Sequence, residues 1–229
     1  MIKDNIEKVL ENIGKAAEKS GRKPEDITLV AVTKTVEAER VREAYDAGIK
    51  IYGENRVQEY MGKREKLPVD VNWHIIGRLQ TNKVKYIINN IKLLHSVDRF
   101  ELAQEIQKQC EKHDAYMNVL LEINTGEEES KAGFDTENIF AEAEKIAGLD
   151  RLKVNGLMTV APFTQDEKFL REVFAKTKEI YDKLGASGLN NFEFKYLSMG
   201  MSNDYEMAVE EGSNMVRVGS AIFGHRIYK

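Results

Sequence analysis

A lysine stands where an apolar strand ends. The run Ile27-Thr28-Leu29-Val30-Ala31-Val32-Thr33 is rich in β-branched residues and lacks strict polar alternation, the pattern of a strand covered on both faces, and Lys34 continues it directly. An amine withdrawn from water loses its proton more readily, and a neutral amine is the species that attacks an aldehyde to form an imine. A lysine that snorkels its charge past a strand end fits the same residues, so position alone leaves both readings open.

Two segments near the C-terminus place glycine beside hydroxyl groups: Ser198-Met199-Gly200-Met201-Ser202-Asn203-Asp204 and Arg217-Val218-Gly219-Ser220-Ala221. Backbone N–H groups at such turns and helix starts bind phosphate, although the same composition also makes ordinary helix caps. Their location adds weight, because parallel barrels often carry a phosphate site after the last two strands.

Competing chemistries lack their residues. His74, His95, His113 and His225 show no metal-ligand spacing, and zinc-protease, nucleophile-elbow and Walker-type motifs do not occur. His74 and His95 fall inside strand-like runs and read as core histidines with satisfied hydrogen bonds. Glu127, Glu128 and Glu129 read as a solvated loop. Tyr and Phe are not interleaved with basic residues, so no base-stacking surface is indicated.

The elements that must position these groups alternate. Strand-like runs at 27–33, 49–52, 73–76, 92–96, 117–123, 153–160, 194–198 and 215–218 are separated by helix-like stretches at 36–47, 55–65, 81–90, 98–113, 136–147, 165–184 and 203–211. Several helices follow a Thr, Asp or Asn suited to capping. Ile2, Ile6, Val9, Leu10 and Ile13 add an amphipathic helix over the first twenty residues, ending near Gly21. Strand-helix-strand order implies parallel pairing, which closes into a β/α barrel or opens as a doubly wound sheet; the pattern favours the barrel. Chemical groups then gather at strand ends: Lys34, Glu54 and Asn55, Gly77 to Gln80, Ser96, Asn124, Met158 and Thr159, Ser198 to Ser202, and Arg217 to Ser220.

The chain has 229 residues, 42% hydrophobic and 31% charged, which suits one domain over 1–229. Its 34 Lys and Arg against 38 Asp and Glu form no basic tract, so neither nucleic acid nor a polybasic membrane contact is expected. The N-terminal helix is interrupted by charge, unlike a signal peptide, and Cys110 has no cysteine partner, which suits a reducing cytoplasmic setting.

Seven motifs now stand in order: AVTKT (31–35), YGENRVQE (52–59), WHIIGRLQTNK (73–83), INTGEEESKAGF (123–134), GLMTVAP (156–162), LSMGMSNDYEMAV (197–209) and MVRVGSAIFG (215–224). Across nearly its whole length the chain resembles the pyridoxal phosphate homeostasis proteins, stand-alone relatives of the alanine racemase N-terminal barrel. The resemblance implies a single (β/α)8 TIM barrel of pyridoxal 5′-phosphate (PLP) fold-type III with an extra N-terminal helix. It implies Lys34 as the Schiff-base lysine, Asn55 beside the ring, Ser202, Gly219 and Ser220 at the phosphate, and Arg217 facing the pyridine nitrogen. A guanidinium only donates hydrogen bonds, so that nitrogen would stay unprotonated and the ring would be a weak electron sink. Racemases resembling this barrel carry an added β domain that supplies a second base, whereas this chain offers only the lysine face. The resemblance therefore implies a monomeric PLP carrier serving apo PLP-dependent enzymes, with a slow amino-acid racemase as the alternative. An interaction scaffold using the N-terminal helix is a third reading. Lys131, in the 123–134 motif, is a candidate second amine during transfer, or a surface lysine paired with its acidic neighbours.

Overall fold

Each apolar run becomes a strand of one closed parallel barrel, in a computed structural model that describes residues 1–127 and 132–224. The strands are β1 (Thr28–Val32), β2 (Ile51–Glu54), β3 (Asn72–Ile75), β4 (Leu93–Val97), β5 (Met117–Glu122), β6 (Leu152–Met158), β7 (Phe192–Ser198) and β8 (Met215–Val218). Each pairs in parallel with its sequence neighbours, and β8 returns to β1 in the register Thr28 with Met215 through Ala31 with Val218. The open doubly wound alternative is thereby removed.

Between them run α2 (Ala38–Asp46), α3 (Val57–Arg64), α4 (Phe100–Lys112), α5 (Ile139–Ile146), α6 (Glu167–Gly185) and α7 (Tyr205–Glu210); α1 (Ile2–Lys19) precedes the barrel and the short α8 (Ser220–Phe223) follows it. Strand β1 is buried over Leu29–Val32, as its unbroken apolar run requires. A core of five residues, Val30, Leu93, Leu120, Met158 and Met215, fills the barrel itself, while a larger apolar layer joins strands to helices. In α1, Ile2, Ile6, Val9 and Ile13 are buried, whereas Leu10 is largely exposed. That helix packs on α7 and α8, with Asn5 donating to the Ile222 carbonyl at 2.9 Å and Asn12 to the Tyr205 hydroxyl at 3.1 Å.

Three local expectations change. Strand β2 sits two residues beyond the run 49–52, because Gly53 and Glu54 pair with His74 and Ile75 of β3, carrying a carboxylate into a strand that an apolar count ends early. The helical stretch expected at 81–90 is a 3-10 segment over Thr81–Tyr86. Val84 and Ile87, three residues apart, both reach the core, which matches a three-residue turn, and Asn89 then turns out of it at φ +61°. Side-chain caps are rarer than expected: Asp166 accepts from the Phe169 N–H at 3.0 Å to start α6, but Asn138 ahead of α5 makes no such bond.

Among the described residues no helix is long and apolar enough to cross a membrane, and no group of three or more His, Cys, Asp or Glu side chains is placed to hold a metal ion.

Candidate ligand cavity at the barrel mouth

A cavity of about 1610 Å³ opens at the C-terminal ends of the strands. Lys34, Asn55, Ser202, Arg217, Gly219 and Ser220 all line it, so residues up to 186 positions apart in sequence meet at one surface once the barrel closes. Its outer wall comes from the segment after β6, including Pro162, the exposed Phe163 and Glu167.

The floor is a polar layer just above the barrel's apolar core. Arg217, on β8, is 3% exposed and donates to Ser198 Oγ at 2.7 Å and to the Thr159 carbonyl at 2.8 Å. Burial lowers its guanidinium to about 10, with Asp204 and Glu122 partly offsetting that effect. It remains a cation at neutral pH. Ser198 Oγ also bonds His95 Nδ1 at 3.0 Å, and His95 Nε2 shares a hydrogen bond of 2.9 Å with His74 Nδ1. Burial lowers His74 to about 4 and carries His95 well below the usual histidine range, with His74 and Arg217 adding to the effect on His95. Both imidazoles are therefore neutral at pH 7. They are satisfied core histidines, and they also buttress the hydroxyl that orients Arg217.

Lys34 is half-buried in a turn directly after β1. Its neighbours are held by α3. Lys63 Nζ donates to the Thr33 carbonyl at 2.6 Å and to Glu54 Oε1 at 2.7 Å, while Thr33 Oγ1 donates to the same carboxylate oxygen at 2.6 Å. On the other side, the Thr35 N–H donates to Glu59 Oε2 at 2.7 Å. Thr35 has φ +63°, a left-handed conformation that a β-branched residue resists by roughly 1–2 kcal/mol. Burial raises the Glu54 carboxyl despite the bonds from Lys63 and Thr33, and its Oε2 is a buried atom without a hydrogen-bond partner.

The cradle lies beside this turn, because β8 pairs with β1 and Gly219 packs against Val32, where a Cβ would lie 3.2 Å from the Val32 carbonyl oxygen. Ser202 Oγ accepts from the Gly219 N–H at 3.1 Å and from the Ala221 N–H at 3.3 Å, tying the turn after β7 to the start of α8. Gly200 enters that turn at φ +95°, where a Cβ would lie 2.6 Å from Ala208 Cβ, so only glycine lets the backbone pass. Asn55 is held from the other side by Gly77, at which a Cβ would lie 2.6 Å from the Asn55 carbonyl oxygen.

Several sequence expectations fall elsewhere. Lys131, Glu128, Glu129 and His225 lie outside the described residues. Glu127 is exposed and pairs with Lys176 at 2.7 Å. Burial pushes the Cys110 thiol up to about 11, which leaves it little thiolate for chemistry. Glu59 and Lys63 were missed by sequence reasoning, because one charged pair at i, i+4 on a surface helix carries no local sign of what it touches. The only signal is that both follow the strand-end Glu54 within nine residues.

With this geometry in hand, the chain can be set beside known proteins. The family described as alanine racemase, N-terminal domain, matches residues 5–227. A pyridoxal phosphate homeostasis protein from Aquifex aeolicus is 45% identical over 226 residues, which covers 98% of both chains. A solved structure of PipY from Synechococcus elongatus with PLP bound is 30% identical, with a TM-score of 0.84, covering 98% of this chain and 100% of that one. A more distant alanine racemase from Clostridium difficile shares the fold at 20% identity and a TM-score of 0.77, and this chain spans 57% of its length.

Proposed function

Since the chain belongs to the alanine racemase N-terminal domain family, we propose that it binds pyridoxal 5′-phosphate at the barrel mouth, holds it through Lys34, and serves the cell's supply of that cofactor without a dedicated reaction of its own. The observation that carries this reading is the meeting of an amine, a buried guanidinium and a glycine-hydroxyl cradle on one cavity. Its support from relatives is the name and near-full-length match of the Aquifex protein and the PLP-bound state of PipY.

The donor set suits the group. A phosphate monoester is satisfied by N–H and hydroxyl donors: Ser202 and Ser220 would supply hydroxyls, and the Gly219 N–H, which donates to Ser202 Oγ here, would turn to the phosphate in exchange. When bound, the cofactor supplies an aldehyde that condenses reversibly with primary amines. Lys34 would present the amine from its turn, Asn55 would flank the ring, and Arg217 would face the pyridine nitrogen as a donor that cannot accept a proton from it. An unprotonated pyridine weakens carbanion chemistry, which favours holding and exchange over racemisation.

Two-base racemisation also requires a proton-transfer group on the face opposite the lysine. Among the described residues lining the cavity there is no tyrosine and no cysteine. The cavity, at about 1610 Å³, is roomier than the roughly 300–1,000 Å³ of a typical small-molecule site, which suits entry and exit of the cofactor. The reading extends to a cytoplasmic monomer that passes PLP to apo PLP-dependent enzymes.

The experiment is an absorbance spectrum with PLP before and after borohydride reduction, for wild type and Lys34→Ala, with mapping of the reduced peptide. A near-visible band in wild type alone, and reduction at Lys34, are expected. A wild type without such a band overturns the reading, and sustained turnover of L- to D-alanine that is lost in Lys34→Ala replaces it with the racemase.

A further inference from the structure

We infer that Lys63 and Glu59, backed by Glu54, are positioning residues for Lys34: from one helix they fix the two peptide groups that border it. The Thr33 carbonyl belongs to the peptide before Lys34, and the Thr35 N–H to the peptide after it. Lys63 Nζ takes the first at 2.6 Å and Glu59 Oε2 takes the second at 2.7 Å. These two side chains stand one turn apart on α3, with Lys63 Nζ 3.9 Å from Glu59 Oε2, so the clamp is a single rigid unit.

Stability alone does not account for this cluster. Lys63 and Glu54 form a buried pair, 11% and 0% exposed at their side chains, and such pairs rarely stabilise a fold more than apolar residues of the same volume. Glu54 also buries an oxygen that no partner satisfies. Thr35, meanwhile, is kept in a left-handed conformation that its own side chain disfavours. Strain and unsatisfied polarity converge on one turn, and what that turn carries is Lys34.

The inference rests on the reading that Lys34 is the amine that takes the cofactor. In that step the Lys34 nitrogen and the aldehyde carbon join as C=N, and the aldehyde oxygen leaves as water with two protons from the amine. A backbone fixed on both sides leaves only the side-chain torsions to be searched, so the nitrogen meets the aldehyde in a narrow range of approach. Without the clamp, Thr35 relaxes out of its left-handed conformation and the lysine stem departs at another angle.

The test uses the full chain and three variants: Glu59→Ala, which removes a half-exposed acceptor, Lys63→Met with Glu54→Met, which leaves no unpaired buried charge, and Lys63→Arg as a conservative control. Each is assayed for the rate of formation of the borohydride-reducible Lys34 adduct with PLP, for the affinity of pyridoxine 5′-phosphate, which lacks the aldehyde, and for its urea midpoint. Adduct formation is expected to slow about tenfold or more in Glu59→Ala and in the double variant, with pyridoxine 5′-phosphate affinity held within about twofold and partial recovery in Lys63→Arg.

A wild-type rate in both folded variants overturns the inference. So does a parallel loss of pyridoxine 5′-phosphate binding, which would mark a general role in holding the cavity. Reductive methylation of cofactor-free protein gives a readout independent of PLP: the labelling rate of Lys34, relative to exposed lysines, is expected to change about threefold or more in the same variants. Unchanged labelling counts against the clamp even if wild type captures no PLP, whereas a missing wild-type band alone counts against the functional reading.

Discussion

Acid should weaken this barrel through His74, and the size of the effect can be worked out. The side chain is 5% exposed, bonded to His95 and lowered by burial to about 4, against an unfolded value near 6.5. Because the native pKa lies below the unfolded one, the unfolded chain takes up the proton first as pH falls. The stabilisation is complete above about pH 6.5 and is lost progressively toward pH 4. Between pH 7.5 and 5.0 this single group removes about 2 kcal/mol, a fall in Tm of roughly 4–8 °C for a chain of this size. His95, lowered further by burial and by its neighbours His74 and Arg217, acts in the same direction, while Glu54, raised by burial, opposes it.

The measurement is a urea titration at both pH values, followed by the fluorescence of the chain's one tryptophan, Trp73, which sits buried against Tyr52 and Tyr60 at ring-centroid distances of 5.8 and 5.6 Å. His74→Gln keeps a polar group beside His95 but cannot titrate. Its loss of stability over the interval should be smaller than wild type's by about 2 kcal/mol. An equal loss in both proteins refutes the reasoning, since the proton would then be entering elsewhere.

Gly77→Ala should destabilise the protein by about 1–3 kcal/mol and weaken PLP binding together, because its Cβ would press on the Asn55 backbone; urea midpoints and a binding titration check both. Ser202→Ala removes the acceptor shared by two backbone N–H groups, and pyridoxine 5′-phosphate affinity should fall about five- to tenfold with the Lys34 reaction still present at saturation. Asp166→Ala strips the cap of α6 and should lower stability by about 1 kcal/mol while leaving the PLP spectrum unchanged, a comparison made by thermal melting and absorbance on one sample.

Much of the fold was legible because it rests on local pattern. Eight apolar runs separated by helical stretches fixed strand number and direction, and β8 matches its run at 215–218 residue for residue. Lys34 drew attention because a cation that ends an unbroken apolar strand is unusual, and glycine near hydroxyl groups drew it to 198–204 and 217–221, but local pattern left a snorkelling lysine and ordinary caps equally open, and only the resemblance to known motifs named Ser202, Gly219 and Ser220. Where the pattern was thin the reading slipped: Gly53 and Glu54 look unlike strand residues, and 81–90 keeps its apolar positions at a spacing that a 3-10 turn also serves.

The tertiary structure alone decided which side chains meet. Lys63 reaches the Thr33 carbonyl 30 residues away, and Ser198 reaches His95 across 103 residues, contacts that no window of sequence contains. Periodicity records which face of an element is apolar. It carries no record of the register in which β1 meets β8, and that register pairs Val30 with Arg217 and sets the cradle beside the lysine turn. Closure is a property of all eight strands at once, and for that reason the site's residue types were legible in the chain while its geometry was not.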